Sequence, residues 1–239
     1  MMQPENWDSA KTILVMLAHP DDPDFFCGGT IARWAQAGHK VFYCLFTRGD
    51  KGSNNPSIPP HQLAILREKE QRSAASLLGV MGVEFLDYRD GEILPSMKAR
   101  KDVVRVIRRL RPDILVTCDP THYFVRDTYL NHPDHRMAGQ IVLEGYFPAA
   151  GNPMFFPELI AEGLDPHSVR EIWISLAQHP NTTVDVTDTW PKKVQALKEH
   201  RSQIGDPLAL DERMKNRRTI DSSEEFPRYE ELFHRLTFG

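Results

Sequence analysis

Cysteine is scarce in this chain. The three that occur, Cys27, Cys44 and Cys118, are scattered and odd in number, which excludes a disulfide scaffold and suits a reducing compartment. No apolar run reaches the roughly 18 residues that would mark a bilayer span. The opening stretch, MMQPENWDSAK, has no basic segment ahead of an apolar one, so no signal peptide is read there and a cytoplasmic location is expected. Neither sign of charge dominates: 29 Lys and Arg face 33 Asp and Glu, for a formal net charge of -4. That balance argues against nucleic acid or an anionic membrane as a partner. Internal repeats, low-complexity linkers and a clean second-domain boundary are also missing, and one domain over residues 1–239 is expected. What is there is globular material, 41% apolar and 26% charged. A chain of this length can bury about 70% of its extended surface without a disulfide or structural metal.

Thr12 to Ala18 is an almost unbroken apolar run, the pattern of a strand buried on both faces. A loop through Asp21, Asp22, Pro23 and Asp24 is expected next, then a helix from Gly28 ended by Gly38. Lys40 to Phe46 reads as a second strand. Thr47 to Pro60 is rich in Gly, Pro and Asn and longer than a usual connection, which predicts a functional loop. Helical spacing of apolar residues predicts helices over Gln62–Leu78 and Lys98–Leu110, and short apolar runs predict strands over Val83–Tyr88 and Asp113–Cys118. This β-α-β-α-β-α-β order predicts a parallel sheet with helices on both faces. A helix is expected from His132 to Gly145, an irregular stretch over 148–168, and a strand at Arg170–Leu176. An edge strand at Thr183–Val186 and a helix at Trp190–His200, capped by Thr189, follow. Gly205–Thr219 reads as a charged surface segment, and the final aromatic stretch as one that docks back on the body.

Two clusters carry chemistry. AHPDDPDFFCGGT lies at the carboxyl end of the first strand, and NHPDHR, Asn131 to Arg136, opens a predicted helix. In an open α/β sheet, ligands bind beyond the carboxyl ends of the strands, so both clusters can face one crevice. A turn with an Asp capping the next helix would account for either string alone; the two together supply the parts of a metal-assisted hydrolase. Such a site uses three His or carboxylate ligands and one open position for water. His19 and Asp22 can supply two, and His132 or His135 a third. A spare carboxylate then stands beside the water, and a spare imidazole stands opposite to stabilise an oxyanion and protonate a leaving group. The residues alone rank neither His132 against His135 nor Asp21 against Asp22. Gly28 and Gly29 lack the G-x-G-x-x-G pattern of a dinucleotide site and are expected to let the helix N-terminus approach the metal loop.

In this order and at this separation, AHPDD, GGT and HPDH resemble the LmbE-like, or PIG-L-type, zinc-dependent N-acetylglucosaminyl deacetylases. The resemblance runs from Thr12 to about Gln203, with support from TRGDKG at Thr47–Gly52, Arg67 and Glu70 in RxxE, LDYRDG at Leu86–Gly91, and DVTDTWPKKVQALKEHRSQ. It implies a Rossmann-like three-layer α/β/α sandwich with a mostly parallel sheet. It implies Zn2+, with other divalent transition metals such as iron, cobalt or manganese also suited to a His2Asp site. By similarity, His19, Asp22 and His135 are the metal ligands and Asp21 the general base. His132 is the imidazolium that stabilises the oxyanion, and Asp134 its electrostatic partner. Arg67 resembles the family's cleft-facing arginine, and Asp90 a wall residue that binds sugar hydroxyls. Arg48 and Asp50, at a strand end, are further substrate candidates, as are Arg126 and Tyr129 in the aromatic THYFVRDTYLN segment. The family's usual Glu after the paired aspartates is replaced here by Pro23, with Asp24 one position later, where a structural role is expected. His200 is likewise expected to be structural.

The expected substrate is a small N-acetylated amino sugar or conjugate. The alternatives are an amidase or deacylase acting on a larger thiol-sugar or secondary-metabolite conjugate, and a non-catalytic nucleotide- or metal-binding protein. Family members often assemble as trimers or hexamers, and Phe147, Phe155 and Phe156, near prolines, are the expected subunit contact.

Overall fold

From Ile13 to Leu17 every side chain is fully buried, and alternate residues enter opposite layers. The structure, a computed structural model, describes residues 5–125 and 128–238. In chain order its elements are β1 (Thr12–Leu17), α1 (Asp22–Gln36), β2 (Lys40–Thr47), α2 (Pro60–Leu78), β3 (Gly82–Tyr88), α3 (Met97–Leu110) and β4 (Ile114–Cys118). Then come β5 (Phe124–Val125), β6 (Tyr129–Leu130), α4 (Pro133–Glu144), α5 (Pro157–Ala161), β7 (Glu171–Ser175) and β8 (Thr182–Asp185). The chain closes with α6 (Trp190–Glu199), α7 (Arg201–Ile204), α8 (Pro207–Lys215) and β9 (Glu230–Thr237).

Seven strands form one sheet in the order β3-β2-β1-β4-β7-β9-β8. The pairs from β3 to β7 are parallel, and β9 runs antiparallel to both β7 and β8. Ile13, Val15 and Leu17 pack with α1, α2 and α6 on one face, while Leu14 and Met16 pack with α3 and α4 on the other. This is the Rossmann-like α/β/α sandwich that the sequence implies. Strand order reverses between β1 and β4, the position at which open α/β sheets bind ligands. α4 comes close to the end of β4 because residue 139 is glycine: a Cβ there would lie 2.2 Å from the Cys118 carbonyl oxygen. All three cysteines are free and buried.

The Thr189 side chain does not cap α6 but donates to the Gly29 and Val186 carbonyls, and four further sequence expectations need correction. First, α1 begins at Asp22, six positions before Gly28, and is kinked at Cys27 (φ −145°, ψ 21°). The kink frees the N–H groups of Gly29 and Thr30, which donate to the Glu231 carboxylate at 3.0 and 2.8 Å. Lys193 pairs with that buried carboxylate at 2.6 Å. The paired glycines therefore serve helix packing and not the approach to the metal loop: a Cβ on Gly29 would sit 2.7 Å from Val186 Cβ. Second, the C-terminal stretch does not merely dock; β9 is an interior strand of the sheet. Third, 205–219 holds α8, capped by Asp206 and anchored by buried Leu210 and Met214. Fourth, the 148–168 stretch contains α5 and a π-helical turn over Gly145–Ala150. Of the three aromatics expected at a subunit contact only Phe147 is exposed, at 75%, while Phe155 and Phe156 pack against Val104, Ala149 and Leu159. Arg108 holds this segment from beneath, donating to the carbonyls of Ala149, Ala150, Asn152, Phe155 and Phe156.

Candidate active site

The loop after β1 is folded by its own side chains. Asp22 Oδ2 accepts the backbone N–H of His19 at 2.8 Å, closing a tight turn around Pro20 and Asp21. Asp21 takes a left-handed conformation (φ 84°, ψ −29°), disfavoured for residues other than glycine and best tolerated by Asp and Asn. Its carbonyl accepts the N–H groups of Asp24 and Phe25 and so starts α1. The second cluster is set by α4: His132 caps the helix, its Nδ1 accepting the Asp134 N–H at 3.1 Å, and His135 lies in the first turn.

The two loops meet. The ring centres of His19, His132 and His135 lie 4.7 to 5.3 Å apart. Asp22 stands between two of them, with Oδ2 3.3 Å from His19 Nδ1 and Oδ1 3.0 Å from His135 Nε2. Each of these two imidazoles is held at its other nitrogen. His135 Nδ1 is 2.9 Å from Asn131 Oδ1, and His19 Nε2 is 3.2 Å from both Asp90 and Asp134. An imidazole whose far nitrogen donates to a buried oxygen presents a lone pair at the near one, which is how metal-ligating histidines are usually oriented. Among the described residues, the groups whose donor atoms lie within 4.8 Å of one another are His19, His132, His135 and His19, Asp90, Asp134. Asp22 is in neither group, but it contacts both His19 and His135, so these three could also hold a metal. The cluster also gathers four carboxylates, Asp21 and Asp90 beside Arg67 and Asp22, Asp90 and Asp134 beside His19, an excess of negative charge that a divalent cation would offset.

The charges follow from these contacts. Against the effect of burial, the imidazoles of His135 and His19 hold the Asp22 carboxyl well below the usual carboxylate range. Burial pushes the Asp21 carboxyl up to about 6; Arg67 opposes that rise and the charge of Asp22 adds to it. Asp90 is held low by His19 despite burial. Burial, then the neighbouring His19 and His135, lowers the His132 imidazole.

The Asp134 charge favours the charged form of the His132 ring, but its carboxylate is not bonded to that ring. Its carboxylate turns to His19 and accepts the N–H groups of Gly91 and Ile93 at 2.6 and 3.3 Å; it meets the His132 ring through its backbone N–H. Because His132 Nδ1 accepts that N–H, a proton on the neutral ring sits at Nε2.

Arg67 is 4% exposed and faces the site, donating to the Pro20 and Gly49 carbonyls at 2.9 and 3.1 Å and lying 3.4 Å from Asp21 Oδ2. Asp50 Oδ1 accepts the Asp90 N–H at 2.9 Å and so fixes the loop that carries Asp90. Arg48 is paired with Glu68 and Asp87 nearer the surface. Tyr129 is exposed on the β5–β6 hairpin, where Tyr123, Phe124 and Leu130 are exposed as well. Arg126 lies outside the described residues. The expected structural roles of Asp24 and His200 are visible: His200 Nε2 is 2.6 Å from the buried Asp24 carboxylate.

Gln71, which accepts the Asp21 N–H at 2.7 Å, escapes a reading of the sequence, and Asn131, which orients His135, stands in the NHPDHR cluster without an expected role. Gln71 stands four positions after Arg67 on α2, a spacing that shares one helix face and could have flagged it, whereas Asn131 precedes α4.

The sequence pattern of the PIG-L family, GlcNAc-PI de-N-acetylase, matches residues 14–146. A diacetylchitobiose deacetylase of Thermococcus kodakarensis is 36% identical over 200 residues, covering 84% of this chain and 73% of that protein. A probable N-acetyl-alpha-D-glucosaminyl L-malate deacetylase 2 of Bacillus anthracis is 27% identical, covering 81% of this chain and 82% of that one. Among solved structures, the N,N'-diacetylchitobiose deacetylase of Pyrococcus horikoshii in complex with its inhibitor MPG aligns with a TM-score of 0.86. It is 32% identical, and the alignment covers 96% of this chain and 85% of that chain.

Proposed function

The chain belongs to the PIG-L (LmbE-like) family, and from that premise we propose that it hydrolyses the N-acetyl group of an N-acetylglucosamine-type sugar or conjugate, releasing acetate and a free amine. The observation that carries this reading is the convergence of His19, Asp22 and His135 beside Asp21. We assign the first three as ligands of Zn2+ or a similar divalent metal. Bound there, the metal would polarise an acetyl carbonyl and acidify a water.

The protein supplies the rest. Asp21, half-buried beside Arg67, takes the proton of the attacking water as general base and returns it to the nitrogen of the leaving amine as the C–N bond breaks. His132 donates from Nε2 to the oxyanion that forms on the substrate. With that proton placed at Nε2 by the Asp134 amide, the ring needs no resident positive charge to act as a donor. Asp134 and Asp90 hold His19 in the ligating orientation. Asp90 and Arg67 form the wall next to the sugar, while Asp50 supports it by fixing Asp90. Tyr129 and its aromatic neighbours offer a rim on which a sugar ring can lie, and Arg48 and Arg126 complete the substrate candidates.

A panel of N-acetylglucosaminyl compounds tests the reading: monosaccharide, disaccharide, malate conjugate and inositol conjugate. Acetate with an equivalent of free amine from at least one is the expected result. Release of a larger acyl group alone would move the assignment to the amidase alternative, and no release from metal-loaded protein would overturn it.

We read the chain as one domain acting in the cytoplasm, in keeping with its unpaired cysteines; cell fractionation checks the location. Among the described residues no helix is long and apolar enough to cross a membrane. A trimer or hexamer is supported by exposed Phe147 and Met154 on one segment. Phe147→Glu is expected to lower the sedimentation mass, and an unchanged mass would count against that contact.

A further inference from the structure

We propose that Gln71 is a positioning residue for the catalytic base, holding the backbone of Asp21 in the conformation that aims its carboxylate into the site. The inference rests on the reading of Asp21 as general base. Gln71 is fully buried on α2, and both ends of its amide are used. Nε2 donates to Asp24 Oδ2 at 2.9 Å, and Oε1 accepts the Asp21 N–H at 2.7 Å. The orientation of the amide is forced, because the Asp21 backbone N–H can only donate and so must face the amide oxygen. Asp24 is itself immobilised: it is fully buried, with His200 Nε2 at 2.6 Å and the Tyr43 hydroxyl donating at 3.3 Å. A chain of contacts therefore runs from His200, between α6 and α7, and from β2 through Asp24 and Gln71 to the Asp21 backbone N–H.

The need for such a clamp follows from the conformation. A φ of 84° is disfavoured for aspartate, and it persists only where surrounding groups over-determine it. Without an acceptor, the half-buried Asp21 N–H loses its partner and the residue gains reason to relax toward negative φ. That rotation would carry the carboxylate away from Arg67, now 3.4 Å from Oδ2. Asp22 is secured separately, by the His19 N–H and by the His19 and His135 rings. Loss of Gln71 should therefore misplace the base and leave the metal ligands in position.

The test compares Gln71→Met, which keeps the shape and removes both hydrogen bonds, with Gln71→Glu, which keeps an acceptor for Asp21 but sets a carboxyl beside Asp24. Metal content, Tm, kcat and KM are measured on the zinc-loaded proteins. For Gln71→Met, kcat is expected to fall about 10- to 100-fold, as for a displacement of roughly 1 Å in a reacting group. KM should stay within about twofold and zinc at about one per chain, because neither substrate binding nor the ligands are touched. For Gln71→Glu, kcat is expected within about threefold of wild type although Tm falls at least as far. A purely structural role would move kcat with Tm in both variants, and that result would overturn the proposal. Wild-type kcat in Gln71→Met at full zinc would overturn it too. If Gln71→Met does not fold, Gln71→Asn withdraws the acceptor by one methylene and takes its place, with the same kcat loss expected. Asp21→Asn runs alongside: full turnover there would refute the base itself, whereas a dead Asp21→Asn with an unaffected Gln71→Met would refute the clamp alone.

Discussion

Asp21→Asn is expected to keep its metal and lose turnover by about 10²- to 10⁴-fold, the usual worth of a positioned general base. Asparagine is the informative substitution because the turn survives it. Asn tolerates the left-handed conformation as well as Asp does, and the Asp21 backbone contacts to Gln71, Asp24 and Phe25 do not involve the carboxylate. Asp21 also accepts no bond from either candidate ligand histidine, so the His19–Asp22–His135 set should be undisturbed. What goes is a carboxylate that burial raises to about 6, near the pH at which a base both holds its charge and accepts a proton readily. Elemental mass spectrometry and kcat measured on the same preparation decide the matter. Full activity at full metal content would show that another group takes the proton.

The second large effect is loss of the metal itself. Asp22→Ala and His135→Ala should each weaken metal binding by more than about 100-fold, since even residues that only orient ligands are worth 10- to 100-fold. Asp22 touches both His19 and His135, so its removal leaves the two rings without the group between them. His132→Ala is the contrast: its Nδ1 is occupied by the Asp134 N–H, and the variant should retain metal while kcat falls about 100- to 1,000-fold, as when an oxyanion donor is lost. Competition against a chelator of known affinity separates the cases. Equal metal loss in all three would make His132 a ligand.

The residues that make the site were legible because its two halves are short, local strings at predictable places: the end of a doubly buried first strand and the start of a helix. Sequence spacing could not say which side chain faces which. The Asp134 carboxylate lies two positions from His132 yet serves His19, 115 residues away. The supports of the site are as distant: Gln71 is 50 residues from Asp21, and His200 is 176 from Asp24. Strand β9 was hidden for a different reason. Its inward positions alternate Glu231 and Phe233, and the buried Glu231 makes the pattern look polar. That glutamate is inside because the kink at Cys27 leaves two helix N–H groups for it to accept and Lys193 neutralises it. The kink cannot be read from FFCGGT alone. Helix α8, by contrast, carried readable signals in Asp206, Pro207 and the four-residue spacing of Leu210 and Met214.

The most direct test of a metal held by His19, Asp22 and His135 is a zinc titration of metal-free protein, following acetate release from an N-acetylglucosaminyl substrate. Turnover should rise with added zinc and level off at about one equivalent per chain, as a single catalytic site requires, while His135→Ala stays at background throughout. Turnover that persists in chelator-treated wild type, or that rises equally in both proteins, would contradict it.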